Sequence, residues 1–157
     1  MAFSRNTTEY HRMKLGFFFR CLIGGLCGGS YVAPEKRLAK DELGKAGEKL
    51  AVRFLKARGY HIIAGNVRYA AGEIDIIARH QKTLVFVEVK TRRSAQYCHP
   101  VEVVDTKKRR KIKQMAMQYY RKKKCAAQGL AMRLDIITLI WPEGEEPKIE
   151  HFVDAFR

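Results

Sequence analysis

The sequence predicts an α/β domain, a mixed β-sheet flanked by helices in the order helix, three strands, helix, strand, strand. Three observations carry this. Two apolar runs with period-two character, EIDIIAR (73–79) and TLVFVEVK (83–90), flank a tight polar turn at Gln81 and Lys82. Helical spacing of three and four precedes them over residues 41–58 and follows them over residues 105–127. A third apolar run, LAMRLDIITLIW (130–141), comes after the second helix.

Each element has its local reason. Leu43, Ala46, Leu50, Ala51, Phe54 and Leu55 make the apolar stripe of the first helix, and Gly59 supplies the left-handed residue that ends it. YHII (60–63) reads as a short strand closed by the turn-rich AGN. The hairpin follows, then a loop over 91–104 that contains Pro100. Asp105 caps a second helix with the stripe Ile112, Met115, Ala116 and Tyr119, expected to run to about Ala127 and to end at Gly129. Residues 130–141 and 148–156 are the last two strands, and no internal repeat is present.

The first 38 residues differ from the rest. LGFFFRCLIGGLCGGSYVAP (15–34) is apolar and glycine-rich, but Arg20 divides it into pieces too short to span a membrane. Tyr31 occupies a position where cleavage at Ala33 would want a small residue, so a signal peptide is not expected. We read residues 1–38 as a poorly ordered N-terminal extension, with Met13 as an equally good start, and residues 39–157 as the folded domain.

A chain of 157 residues with a hydrophobic fraction of 46% can bury one ordinary core. Lys and Arg number 31 against 16 Asp and Glu, a net charge of +15, which points to a polyanionic partner: nucleic acid or an acidic membrane face. Cys21, Cys27, Cys98 and Cys125 form no C-x-x-C pair, which argues against a zinc or redox motif and makes a reducing cytoplasm the default. The histidines are scattered without metal-ligand spacing.

The hairpin holds the chemistry. If Gln81 and Lys82 are its turn, opposite positions put Asp75 across from Glu88 and Glu73 across from Lys90, all four on one sheet face. The other face is Ile74, Ile76, Ala78, Val85, Val87 and Val89; Ile77, Leu84 and Phe86 continue the acidic face as an apolar one toward the tip, so both faces are expected to be covered. Opposed carboxylates in such a place repel. Mg²⁺ would remove the conflict, being satisfied by a few carboxylates, water and substrate phosphate. A lysine two residues beyond the second carboxylate suits phosphodiester hydrolysis, where it offsets charge growing on the phosphate. Ion pairing at the strand ends, with Lys90 neutralising Glu73 or Glu88, accounts for the same residues without a metal.

GEKLAVRFLKARGY (47–60), GEIDIIA (72–78) and FVEVKTR (86–92), in this order, resemble the YraN-like family of uncharacterised bacterial proteins, related to archaeal Holliday junction resolvases within the PD-(D/E)XK nucleases. The resemblance runs from about Lys40 to Asp135. It implies a restriction-endonuclease-like fold with an α-β-β-β-α-β core and a metal-dependent endonuclease acting on DNA, with branched DNA as substrate and a homodimer as assembly. Carried over residue by residue, it implies that Asp75, Glu88 and Glu48 hold Mg²⁺ or Mn²⁺ and that Lys90 is the catalytic lysine. Spacing alone leaves Glu48 between that role and a solvated position at the border of the helix's apolar face. Glu73 has no counterpart in the motif and reads as a supporting residue. The superfamily's proline is missing before Asp75, where Glu73-Ile74 stands.

TKKRRKIKQMAMQYYRKKK (106–124) carries ten Lys or Arg residues. A solvated basic face explains such a run, and so does a ridge for phosphates beside the acidic site. On the second reading Arg92, Arg93, Lys107, Lys108, Arg110, Lys111 and Gln114 contact nucleic acid, while Tyr119 and Tyr120 serve either DNA or the core. Asp135 reads as the partner of Arg133 at a strand end rather than as a further site carboxylate. The expected function is therefore a metal-dependent DNA endonuclease. A non-catalytic nucleic-acid-binding module on the same fold and a membrane-peripheral scaffold using Phe17–Phe19 are its rivals, and no stable membrane insertion is expected.

Overall fold

Helix α1 (Lys40–Ala57) starts where Glu42 reaches back to accept the Ala39 backbone N–H at 3.0 Å, one half of a capping box. It stops in a Schellman turn: Gly59 takes φ 79°, its N–H donates to the Lys56 carbonyl, and Tyr60 N–H donates to the Leu55 carbonyl. This is a computed structural model, and it describes residues 39–94 and 105–155. The N-terminal extension, residues 95–104 with Cys98 and Pro100, and the last two residues lie outside the described residues.

Strands β1 (His61–Tyr69), β2 (Gly72–His80), β3 (Thr83–Arg92), β4 (Ala131–Ile140) and β5 (Lys148–Phe152) form one sheet in chain order. All neighbours are antiparallel except β3 and β4, which run parallel. A parallel pair needs a long crossover, supplied by helix α2 (Thr106–Lys122). This mixed five-stranded sheet with two helices is the α/β, restriction-endonuclease-like architecture expected from the sequence.

Each helix covers one sheet face. On the α1 side, Leu50, Ala51, Phe54 and Leu55 pack against Ile76, Ala78, Val85, Val87, Ile137 and Leu139. On the α2 side, Ile112, Met115 and Ala116 pack against Ile77, Leu84, Phe86, Leu134 and Ile136. With both faces buried, β3 reads as a nearly continuous apolar strand, which is why its few charged residues stand out.

Three boundaries differ from the sequence expectation. AGN does not end β1: pairing shifts between Ile62 and Ala64, Asn66 adopts φ 52°, and the edge strand bends but continues to Tyr69. Helix α2 ends at Lys122, not near Ala127. The reason is a second Schellman turn, with Lys124 in the left-handed position at φ 50°, Lys124 N–H on the Arg121 carbonyl and Cys125 N–H on the Tyr120 carbonyl. That turn carries Cys125 into the core, and Gly129 closes only a short 3-10 turn (Ala126–Gln128). The last strand ends at Phe152, followed by a turn in which Asp154 has φ 56°.

Candidate active site

The β2–β3 ladder has the anticipated register, His80 opposite Thr83 through to Ile76 opposite Val87. There the strands part. In place of a continued ladder, Val89 N–H donates to Asp75 Oδ2 at 2.7 Å. Asp75 is thereby held inward at 9% exposure, beside Glu88 at 2%.

Two ammonium groups meet Glu88. Lys90 Nζ, two residues along the same face of β3, lies 2.6 Å from Glu88 Oε1. Lys108 Nζ, from the first turn of α2, hydrogen-bonds the same oxygen. Burial works against the Lys108 ammonium, but its bond to Glu88 together with its other polar contacts and the charges of Glu88 and Asp75 outweighs that, and the net shift is upward. Asp75 moves up too, to about 7, first through burial and then through the charge of Glu88, with Glu48 adding to the rise; the Val89 N–H and Lys108 oppose it.

Glu48 reaches this neighbourhood because its helix sits unusually close to β3. A Cβ on Gly47 would stand 1.8 Å from Thr91 Oγ1, so only glycine permits the approach. Glu48, half-buried, acts on Asp75 through space. Among the described residues no three His, Cys, Asp or Glu side chains stand together as ready-made metal ligands, so Glu48 is near the pair without joining it.

The donor set fits a hard divalent cation. Two carboxylates from neighbouring strands present oxygen only, burial and then the charge of Glu88 hold Asp75 near 7, and Mg²⁺ asks for no more protein ligands than that. Mn²⁺ accepts the same oxygen ligands.

Glu73 does not join this group, contrary to the patch expected from ideal pairing. It lies on the β1 side, opposite Arg68, with 3.9 Å between Arg68 Nε and Glu73 Oε2 and a side chain 55% exposed. Ile74 likewise joins the α2-side cluster instead of the α1 side. Both follow from the parting of the hairpin at Asp75, because strand alternation holds only while the pairing does.

Of the residues expected to contact nucleic acid, Arg92, Lys107, Arg110, Lys111 and Gln114 are exposed, and Arg93 is half-buried. Lys108 is drawn onto Glu88. Its place was legible: residues 108, 112, 115 and 119 share one helix face, so Lys108 extends the buried stripe of Ile112, Met115 and Tyr119. Tyr119 packs edge-on against Phe86 with ring centroids 5.7 Å apart, and Tyr120 donates its hydroxyl to the Leu130 carbonyl, so both tyrosines serve the core.

Asp135 is apart from the site, on the α1 side of the sheet. It pairs with Arg133 as expected, but in mid-strand rather than at a strand end, and at 0% exposure. Arg133 reaches Oδ1 and Oδ2 at 2.9 and 3.0 Å, His151 Nε2 stands 2.8 Å from Oδ2, and Asp154 N–H donates to Oδ1 at 2.9 Å.

A mixed sheet whose central hairpin opens onto Asp75, Glu88 and Lys90 is the core of a restriction-endonuclease-like protein. The chain belongs to the uncharacterised protein family UPF0102, the YraN-like family, whose model matches residues 47–139. A UPF0102 protein of Geotalea daltonii is 45% identical over 114 residues, covering 73% of this chain and 88% of its own length. UPF0102 proteins of Renibacterium salmoninarum and Dictyoglomus turgidum are each 41% identical, covering 71% and 73% of this chain and 93% and 97% of their own. The matched segment contains Glu48, Asp75, Glu88, Lys90 and Lys108. Among the described residues no helix is long and apolar enough to cross a membrane.

Proposed function

We propose that this protein is a metal-dependent endonuclease that hydrolyses DNA phosphodiester bonds. The observation that carries the reading is the convergence of Asp75, Glu88 and Lys90 where the β2–β3 ladder parts. Asp75 and Glu88 would hold Mg²⁺ or Mn²⁺, with Glu48 contributing through the cation's water shell. Such an ion lowers the pKa of a bound water and offsets charge on the phosphate. Lys90 places its ammonium beside the scissile phosphate and stabilises the charge that grows there as water adds to phosphorus and one P–O ester bond breaks.

The basic residues, with the neutral Gln114 among them, supply the surface. Arg92, at the end of β3, and Lys107, Arg110, Lys111 and Gln114, on the exposed side of α2, would contact the sugar–phosphate backbone, together with Arg93. The helix also directs its N-terminal turn, with no acidic residue after the Asp105 cap, toward the site end of the sheet. The resemblance to junction resolvases, an analogy of fold, supports branched DNA as the first substrate to test and a homodimer as the assembly, and the cysteine usage supports a reducing cytoplasm as the location.

The test is cleavage of labelled duplex, single-stranded, flap and four-way junction DNA with Mg²⁺ or Mn²⁺, by the wild type, Lys90→Ala and Glu88→Gln. Metal-dependent cutting that falls by at least about 10²-fold in both variants is expected. Salt-sensitive binding without cutting in any of the three would replace this reading with a non-catalytic nucleic-acid-binding module.

A further inference from the structure

We infer that Lys108 is a resident counter-ion of the acidic site, which leaves Glu88 when a divalent cation enters and is thereby delivered to substrate phosphate. This rests on reading the pocket as a divalent-cation site.

Glu88 Oε1 already holds two cationic partners, Lys90 at 2.6 Å and Lys108. With both carboxylates ionised, the two ammonium groups balance Asp75 and Glu88. A divalent ion added to that set would leave an excess of positive charge in a pocket whose Glu88 is 2% exposed. One ammonium must withdraw, or an anion must arrive with the metal.

Lys108 is the one free to move. Lys90 stands on β3 where the strand is paired with β4 at Thr138, with a side chain 27% exposed. Lys108 lies in the first turn of α2, its side chain 42% exposed, with a flexible four-carbon stem. Its helix is anchored one turn on by buried Ile112, so the ammonium can leave Glu88 without displacing the helix. The same turn carries exposed Lys107 and Arg110, so Lys108 moves toward the surface that meets phosphates. Metal and DNA binding are then linked: Lys108 opposes the metal when DNA is absent and stabilises the loaded state when a phosphate is there to receive it.

The experiment is calorimetric titration of Mn²⁺ into the full chain without DNA, for the wild type, Lys108→Met and, as control, Lys113→Met, an exposed lysine on the same helix. Lys108→Met is expected to bind Mn²⁺ about three- to tenfold more tightly than the wild type, with Lys113→Met within about twofold. Acetylation of the wild type with and without Mn²⁺, read by mass spectrometry, tests the same movement without any substitution. Lys108 should label faster with Mn²⁺ and Lys113 at an unchanged rate. Wild-type binding of Mn²⁺ with equal or weaker affinity in folded Lys108→Met, or labelling of Lys108 that ignores Mn²⁺, overturns the inference alone. Absence of Mn²⁺ binding in every protein overturns it together with the metal reading of the pocket.

Discussion

The Val89 N–H donates to Asp75 Oδ2 at 2.7 Å, at the position where a continued hairpin would have set Val89 opposite Ile74. One side-chain bond thus takes the place of a backbone one, and its effects are linked. The strands separate, Ile74 packs with the α2-side core, and Asp75 faces Glu88 from a buried position. A carboxylate so placed destabilises the protein when it ionises.

The sign of that effect is testable. Asp75 titrates near 7 in the folded chain, against about 3.9 for an unfolded Asp. Below the unfolded value both states are protonated; between the two values only the folded state holds the proton. Stability is therefore lost as pH rises through about 7, by an amount on the order of 4 kcal/mol at most for this group. Asp75→Asn keeps an oxygen for the Val89 N–H and removes the charge. Denaturation in the presence of a chelator should find it more stable than the wild type by about 2 kcal/mol at pH 8, with the difference vanishing by pH 4. Saturating Mn²⁺ should reverse the order at pH 8, because it stabilises only the protein that binds it. An Asn variant stabilised at pH 8 and still binding Mn²⁺ as the wild type does would remove Asp75 from the site.

The close approach of α1 to β3 at Gly47 gives a second expectation. Alanine there would put its Cβ 1.8 Å from Thr91 Oγ1 and 2.9 Å from Thr91 Cβ. Either α1 lifts or β3 shifts, an overpacking cost of about 1–3 kcal/mol. Glu48 moves with the helix, so Gly47→Ala should lose activity beyond its loss of stability. Thr91→Ala in the same chain removes the nearest atom and should restore part of both, measured by thermal melts and cleavage rates side by side.

How far the sequence could be read depended on which forces decided each feature. The sheet and the hairpin register were legible because Ile76, Ile77, Ala78, Val85, Phe86 and Val87 can bury both faces in one register only. Asp75, Glu88 and Lys90 followed from that register and from the family resemblance. Glu73 was misplaced because alternation assumes a regular ladder, and the Val89–Asp75 bond ends it early. The end of α2 was misjudged because glycine is the usual left-handed residue, whereas Lys124 takes that conformation so that Cys125 can be buried. Lys108 could be seen on the buried stripe but not its partner, since which helix lies over which carboxylate is a tertiary fact.

Asp135 makes the opposite electrostatic case to Asp75. Burial alone would raise its carboxyl, yet hydrogen bonds from His151 and Arg133 outweigh that and hold it below the usual carboxylate range. Its contribution to stability is therefore present above about pH 4 and lost as pH falls through the lowered folded value. Asp135→Asn leaves Arg133 without its counter-charge and should cost about 3 kcal/mol at pH 7. The gap to the wild type should close in acid. Because Asp135 lies on the other sheet face from Glu88, the variant should cleave DNA normally at a temperature where it remains folded. A gap that stays constant down to pH 2 would show that packing, and not charge, is what Asp135 provides.

The exposed basic side of α2 sets the last expectation. If Lys107, Arg110 and Lys111 engage phosphates, each displaces counterions from DNA, and the logarithm of the association constant falls linearly with that of salt concentration. Replacing all three by Gln should weaken binding to every DNA tested alike. On duplex it should also reduce the salt slope by about 0.9 for each phosphate that is no longer neutralised. None of the three is buried, so the melting temperature should scarcely change. The measurement is fluorescence anisotropy over a range of KCl concentrations, on duplex and four-way junction. A salt slope unchanged by the triple substitution would move the DNA path off this helix and leave Arg92 and Arg93, at the end of β3, as the basic residues beside the site.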